Sequence, residues 1–352
     1  MSSVSTTGPA PYIYSSTRMR VRKSKLIRHD EYMRMLNMSL PEIIHAIQEM
    51  EYKAEIDELA SSFCGLDLIE EALSWNLAKE FQNVLGIMPG AIKKFTASYQ
   101  QHWDIYNVLT ILRGKTQGVR AGKIKEVLIP AGSLDRVILD RLLAEDSPER
   151  IVEGLTSWSL YPILEREFSA AMEKGTFGDL ENELFKAYYV YVLKQTASGV
   201  KGGKPFRDYL KLEIDLLNIK TVIRLYKGNV RTDVRNLMIG GGSISVDDLV
   251  RMAASESMEE ILEEIKKRYP EGPIGEMMDS ADKSMPLHEM ENGLTRVMLD
   301  QMDRISMRYP FSICPTLVYL NRKRYEVANL RAIARGKESG LPGETIAKFL
   351  VV

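Results

Sequence analysis

Three stretches of this chain align with one another without a gap, and their spacing restricts the possible folds more than any other feature. They are Trp103-Asp-Ile-Tyr-Asn107-Val-Leu-Thr-Ile-Leu-Arg113, Ile214-Asp-Leu-Leu-Asn218-Ile-Lys-Thr-Val-Ile-Arg224 and Tyr325-Glu-Val-Ala-Asn329-Leu-Arg-Ala-Ile-Ala-Arg335. Each carries an acid (Asp104, Asp215, Glu326), an Asn three residues later and an Arg six residues after the Asn. The step is constant, because 218 − 107 = 111 and 329 − 218 = 111. Other landmarks keep nearly the same step. Val127-Leu-Ile129-Pro130-Ala-Gly132-Ser133 matches Leu237-Met-Ile239-Gly240-Gly-Gly242-Ser243, with 243 − 133 = 110. In the last copy Ile346 to Val352 resembles the run into those Gly-Ser turns, and Lys23-Ser24-Lys25 supplies the missing Gly-Ser step.

A repeat of this length is a small domain in itself, unlike the short units of solenoids. The expected units are 22–131, 132–241 and 242–352, preceded by a tail over 1–21. Three related lobes whose ends match in phase can close around a pseudo-threefold axis, and an open arc of three lobes fits the same numbers.

Each lobe reads as helix. Ser39, Ser147 and Ser257 stand where helix N-caps belong, 108 and 110 residues apart. Pro follows within the first turn at Pro41 and Pro148, where its missing N–H costs nothing, and Glu260 completes a capping-box pattern behind Ser257. Leu180 to Lys194 and Asp208 to Lys227 keep apolar residues at three- and four-residue spacing. Alternating β-branched runs are scarce, so the expected class is all-α.

On a helix turning 100° per residue, Asp104 and Asn107 share a face while Arg113 falls near the opposite side. The acid therefore cannot pair with its own Arg, and each needs a partner on another element. Apolar neighbours such as Val108, Ile111 and Leu112 indicate helices buried on more than one side, where polar groups must be hydrogen-bonded. The simplest role for Asn107, Asn218 and Asn329 is to tie each helix to an adjoining segment. The alternative has Arg113, Arg224 and Arg335 lining a partner site.

Signatures of catalysis fall short. Gly114-Lys115-Thr116 ends like a phosphate loop but lies in a helical run whose required first Gly is Leu109. Gly240-Gly-Gly242 lacks the third Gly of a dinucleotide fingerprint. His288-Glu289 begins like a zinc-protease helix, but Asn292 stands where the second His belongs. Adjacent Asp247 and Asp248 diverge by about 100° and would not share a metal. No nucleophile, base and orienting group occur together. The expectation is no catalytic residue, no cofactor and no metal site. A formal net charge of −1 speaks against a protein that coats nucleic acid. Two cysteines, Cys64 and Cys314, make no disulfide framework and point to a reducing compartment. The Ser/Thr/Pro-rich start lacks the apolar core of a secretion signal, and no apolar run is long enough to span a membrane. Arg18, Arg20, Arg22, Lys23, Lys25 and Arg28 form a cationic segment without an acid, a candidate membrane- or partner-facing surface whose simplest reading is a solvated helix face.

The triplicated acid-x-x-Asn motif, the period, and Tyr12-x-Tyr14 leading into Arg18-x-Arg20-x-Arg22 and Ser24-x-Leu26 together resemble the C-subunit family of A-type (A/V-type) ATP synthases, homologous to the d subunit of V-ATPases. The resemblance spans residues 12–352. It implies an all-helical, funnel-like protein of three lobes, without catalytic activity of its own. Such a protein sits on the proteolipid ring at the cytoplasmic face of the cell membrane and receives the D and F subunits of the central stalk. It would pass proton-driven rotation upward to ATP synthesis, as one copy per complex and with no nucleic-acid partner. The competing expectations are a generic helical scaffold and an all-α enzyme with a carboxylate-lined cavity.

Overall fold

The computed structural model describes residues 10–197, 202–230, 234–280 and 285–352; the first nine residues of the Ser/Thr/Pro-rich start lie outside them. All regular secondary structure among the described residues is helical, in agreement with the expected class. The cap positions agree as well. Ser39 precedes the helix Leu40–Gln48, and its N–H and Oγ both donate to Glu42 Oε2 at 2.7 Å. Ser147 Oγ accepts from Arg150 N at 3.3 Å, and Ser257 Oγ from Glu260 N at 3.2 Å. The Glu260 carboxylate accepts the N–H of Glu256, one residue beyond the reciprocal position expected of it.

Each motif sits on a long buried helix: His102–Thr116, Gly203–Lys227 and Cys314–Glu338. The second and third begin equally far ahead of their Asn, since 218 − 203 = 15 and 329 − 314 = 15. In the first copy the same stretch is cut into Gly90–Gln100 and His102–Thr116, with Gln101 between them at helical dihedrals.

The three helices also end alike. Eleven residues past the Asn the backbone turns left-handed, at Gly118 (φ 69°), Asn229 (φ 51°) and Gly340 (φ 67°). The N–H of the next residue returns to the carbonyl five positions back: Val119 to Gly114 at 2.8 Å, Val230 to Leu225 at 2.9 Å and Leu341 to Gly336 at 2.8 Å. A second bond runs from the left-handed residue itself to the carbonyl three back, at 3.1, 3.0 and 3.0 Å. This C-terminal cap satisfies carbonyls that the helix cannot. Glycine accepts the left-handed region without penalty, and Asn is among the few other residues that tolerate it.

By packing, the chain divides into two compact units. One comprises Asp30–Tyr188 and Glu326–Gly343; the other comprises Met1–His29, Tyr189–Tyr325 and Glu344–Val352. Two of the four divisions fall inside the long helices Gly178–Gln195 and Cys314–Glu338, so packing partitions the chain differently from the sequence period. The first unit holds the motif copies around Asn107 and Asn329, and the second holds the copy around Asn218. The stretch set apart in the sequence as a tail, 1–21, overlaps the helix Ala10–Lys23. Its Ser15, Ser16 and Met19 are buried in the second unit, Lys23 pairs with Asp303, and Arg20 Nη2 donates to the Pro310 carbonyl at 3.1 Å. None of the described helices is long and apolar enough to cross a membrane.

Asn229 is the one non-glycine residue with positive φ among those described. Replacing it by Gly is expected to stabilise the chain by about 0.5 kcal/mol, and replacing it by Ala to cost about 1 kcal/mol. Thermal melts of the two variants, run against the parent, check both signs.

Candidate functional site

The acid and the amide of each motif reach the same neighbouring segment. Asp104 Oδ2 accepts from the Ser133 N–H at 2.9 Å and from Ser133 Oγ at 2.6 Å, and Oδ1 accepts from the Leu134 N–H at 2.9 Å. One turn along, Asn107 clamps Ile129 from both sides: its Nδ2 donates to the carbonyl at 2.7 Å and its Oδ1 accepts from the N–H at 2.9 Å. The second copy repeats the arrangement atom for atom. Asp215 takes the N–H groups of Ser243 and Ile244 at 2.9 and 3.0 Å, and Asn218 clamps Ile239 at 2.8 and 2.9 Å. Both acids accept a further bond from an aromatic side chain, Trp158 for Asp104 and Tyr269 for Asp215, and 269 − 158 = 111. A Cβ at Gly132 or Gly242 would stand 2.1 Å from the carboxylate Oδ1, so only glycine lets the turn close over its acid. Burial pushes both carboxyls above the usual range even against these donors.

In the third copy Glu326 and Asn329 lie in the first unit. Glu326 Oε1 accepts the buried Tyr52 hydroxyl at 2.6 Å, and Asn329 hydrogen-bonds the hydroxyl of Tyr32. Burial and the facing Glu326 both raise that phenol. Ser24, matched in the sequence to Ser133 and Ser243, donates from Oγ to the Val21 carbonyl at 2.9 Å.

The arginines point the other way, as the helical arithmetic requires, and each finds a glutamate on a second long helix. Arg113 Nη2 meets Glu181 Oε2 at 2.6 Å, Arg224 Nη2 meets Glu291 Oε1 at 2.7 Å, and Arg335 Nε meets Glu70 Oε1 at 2.5 Å. The sequence reading missed these glutamates, although they keep the period: 181 − 70 = 111 and 291 − 181 = 110. The signal available was an aliphatic residue, Glu, two residues and Leu. Ile69, Leu180 and Met290 before each Glu, and Leu73, Leu184 and Leu294 after it, are fully buried. Polar motif helices thus face a second repeated set, Gly65–Ile87, Gly178–Gln195 and Leu287–Arg308.

Two junctions carry an added cation. Arg331 Nη2 donates to Ser74 Oγ at 2.6 Å, with its Nε 3.0 Å from Glu70 Oε2, and Lys220 donates to Thr295 Oγ1. These positions are equivalent, because 331 − 220 = 111 and each hydroxyl follows its Glu by four residues. Leu109 and Phe185 occupy the same positions in the first copy. Burial pushes the Lys220 ammonium down to about 8, with Arg324 and Arg224 adding to the effect and Glu291 opposing it.

The cationic segment is partly tied down. Besides the Lys23 and Arg20 contacts, Arg18 Nη1 donates to the Tyr14 hydroxyl at 2.6 Å, and Arg22, Lys25 and Arg28 also have partners. His288 stacks on Phe349 with ring centroids 5.2 Å apart, and Asp248 receives Arg251 and Arg268. Among the described residues no group of three His, Cys, Asp or Glu side chains is placed to hold a metal. The acid, amide and guanidinium groups of the triplicated motif each bond a neighbouring element.

The junctions differ in burial, and their energetics should follow. Glu70 is nearly inaccessible and serves two arginines, whereas Arg113 and Glu181 are 42% and 32% exposed. Glu70→Ala is expected to cost about 3 kcal/mol, and Glu181→Ala no more than about 1 kcal/mol, in urea unfolding. Lys220 yields a pH test. Its folded value of about 8 lies below the unfolded value of about 10.4, so the unfolded chain binds that proton more tightly. The parent should therefore gain stability over Lys220→Met as pH rises from about 8 to about 10. A difference that is flat or falls over that range contradicts the assignment.

Comparison with known proteins identifies the family. The ATP synthase (C/AC39) subunit family matches residues 15–349. The C subunit of the A-type ATP synthase of Methanosarcina mazei is 34% identical over 98% of this chain and 94% of its own length. That of Halobacterium salinarum is 32% identical over 99% and 100%, and that of Archaeoglobus fulgidus 32% identical over 97% of each. A repeat legible at 111-residue intervals and a match from end to end lead to one conclusion: the chain belongs to the ATP synthase (C/AC39) subunit family.

Proposed function

We propose that this chain is the non-catalytic coupling component of an A-type ATP synthase rotor. It joins the membrane proteolipid ring to the D and F subunits of the central stalk, so that proton-driven rotation supports ATP synthesis. The observation that carries the reading is the family match over residues 15–349, with relatives named as A-type ATP synthase C subunits covered over at least 94% of their length.

The junctions support the mechanical part. A coupling that transmits torque needs helices that do not slide along or rotate about their axes. A bidentate amide on backbone, as at Asn107 and Asn218, fixes translation and rotation together, because both of its bonds fail on a shift of one residue. The order of the ion pairs supports three lobes, 22–131, 132–241 and 242–352, closing around an approximate threefold axis. Arg113 pairs forward to Glu181 and Arg224 forward to Glu291, while Arg335 pairs back to Glu70. A linear array would leave its last Arg and first Glu without each other. One copy per complex follows from this reading, since such a monomer already occupies the axis, at the cytoplasmic face of the membrane and peripheral to it.

The test is recovery of the tagged chain from detergent-solubilised native membranes. Co-purification of the proteolipid and of the D and F subunits is the expected result, and recovery of the chain without them overturns the coupling role.

A further inference from the structure

The N-terminal helix Ala10–Lys23 has a face that its packing does not use. Ser15, Ser16 and Met19 are buried against the second unit, yet on the other side Ile13, Thr17 and Val21 follow at four-residue steps, with Tyr14 beside them. Ile13, Tyr14 and Val21 are 45%, 53% and 55% exposed. The stripe continues onto the neighbouring element. Arg20 ties this helix to Pro310 and Lys23 ties it to Asp303, which brings Met307 and Phe311, 71% and 51% exposed, to its border. Five large apolar side chains in one such region exceed the scattered exposure that is normal for a soluble surface.

The unpaired charge beside the stripe is cationic. Arg18 and Arg20 flank it on either side, and residues 18–28 hold six cations and no acid. The nearby carboxylates are engaged: Asp303 by Lys23 and Arg322, Asp300 by Arg322, and Asp208 by Lys204. Arg18 lies over the Tyr14 ring, 5.5 Å from its centroid, and donates to the hydroxyl of that same neutral side chain, so its charge remains at the surface. Apolar side chains on an exposed helix face, flanked by long cationic ones and an amphipathic tyrosine, are suited to a flat, deformable anionic surface.

We infer that the exposed face of the helix Ala10–Lys23, with Met307 and Phe311, docks on anionic lipid headgroups. Ile13, Tyr14 and Val21 enter the interface while Arg18 and Arg20 contact phosphate. This inference stands on the surface itself and does not require the rotor assignment.

The experiment is co-sedimentation of the full chain with vesicles of phosphatidylcholine alone and of phosphatidylcholine mixed with phosphatidylglycerol. Binding is expected to the anionic vesicles and not to the neutral ones, and to weaken as salt is raised. Arg18→Gln should weaken it about fivefold, the effect of one surface cation. Ile13→Ser with Val21→Ser should reduce it further while leaving the helical circular dichroism and the melting temperature unchanged, since both side chains are exposed. Equal binding to neutral vesicles, no binding to anionic ones, or unchanged binding by both variants overturns the inference. The variants should still co-purify with the proteolipid and stalk subunits, which separates failure of lipid docking from failure of the coupling role. Loss of that co-purification together with unaltered vesicle binding identifies the face as a protein contact and likewise overturns the lipid assignment.

Discussion

A carboxylate and an amide buried one turn apart on an apolar helix are tolerated only if backbone donors and acceptors come to meet them. That constraint organises this molecule. Asp104 and Asn107 together occupy four backbone groups of the segment Ile129 to Leu134, and Asp215 and Asn218 do the same for Ile239 to Ile244. The segment cannot move without stranding those groups away from water, at a cost of about 1–3 kcal/mol each. The glycines follow from the same demand, because a side chain at Gly132 or Gly242 would occupy the position of the carboxylate oxygen. Asparagine is suited to the inner position since a single amide offers a donor and an acceptor in one plane, matching one peptide unit.

The ion pairs act at the other end of each motif and are of a different kind. Held partly in solvent, Arg113–Glu181 and Arg224–Glu291 contribute orientation more than stability. The Glu70 junction departs from them, with two arginines on a carboxylate that is nearly out of solvent. Its hydroxyl partner Ser74 and the pair Lys220–Thr295 show that the junctions have diverged in step on both faces. Where a cation appears on the motif helix a hydroxyl appears opposite; where the motif helix has Leu109 the opposite position has Phe185. Similar repeats in one chain are at risk of pairing with the wrong copy. Distinct chemistry at each junction penalises such mispairing, because the wrong match would bury a cation against an aromatic side chain without a hydrogen-bond partner.

The helical class, the cap serines and the equivalence of the three Asn-bearing helices were all legible in the sequence. These depend on local rules: spacing of apolar residues, chemistry of the first turn, and a period that survives divergence. The opposite placement of acid and Arg was legible too, from the 100° step alone. The glutamate partners were not read, although they repeat at the same interval. Glu is abundant on helix surfaces, so Glu70, Glu181 and Glu291 do not stand out until the burial of Ile69, Leu180 and Met290 beside them is known. The left-handed endings at Gly118, Asn229 and Gly340 were hidden for another reason, since one of the three is not glycine.

What the chain alone determined was therefore composition-level and periodic: all-helical, and threefold in its sequence. What only the folded structure decided was who pairs with whom. Whether residues 10–23 trail or pack, which carboxylate answers which arginine, and where the compact units divide depend on contacts between segments far apart in the chain. Local propensity carries no information about such contacts. Arg335 and Glu70 are separated by 265 positions, and only the geometry of the intervening helices brings them within reach of one another.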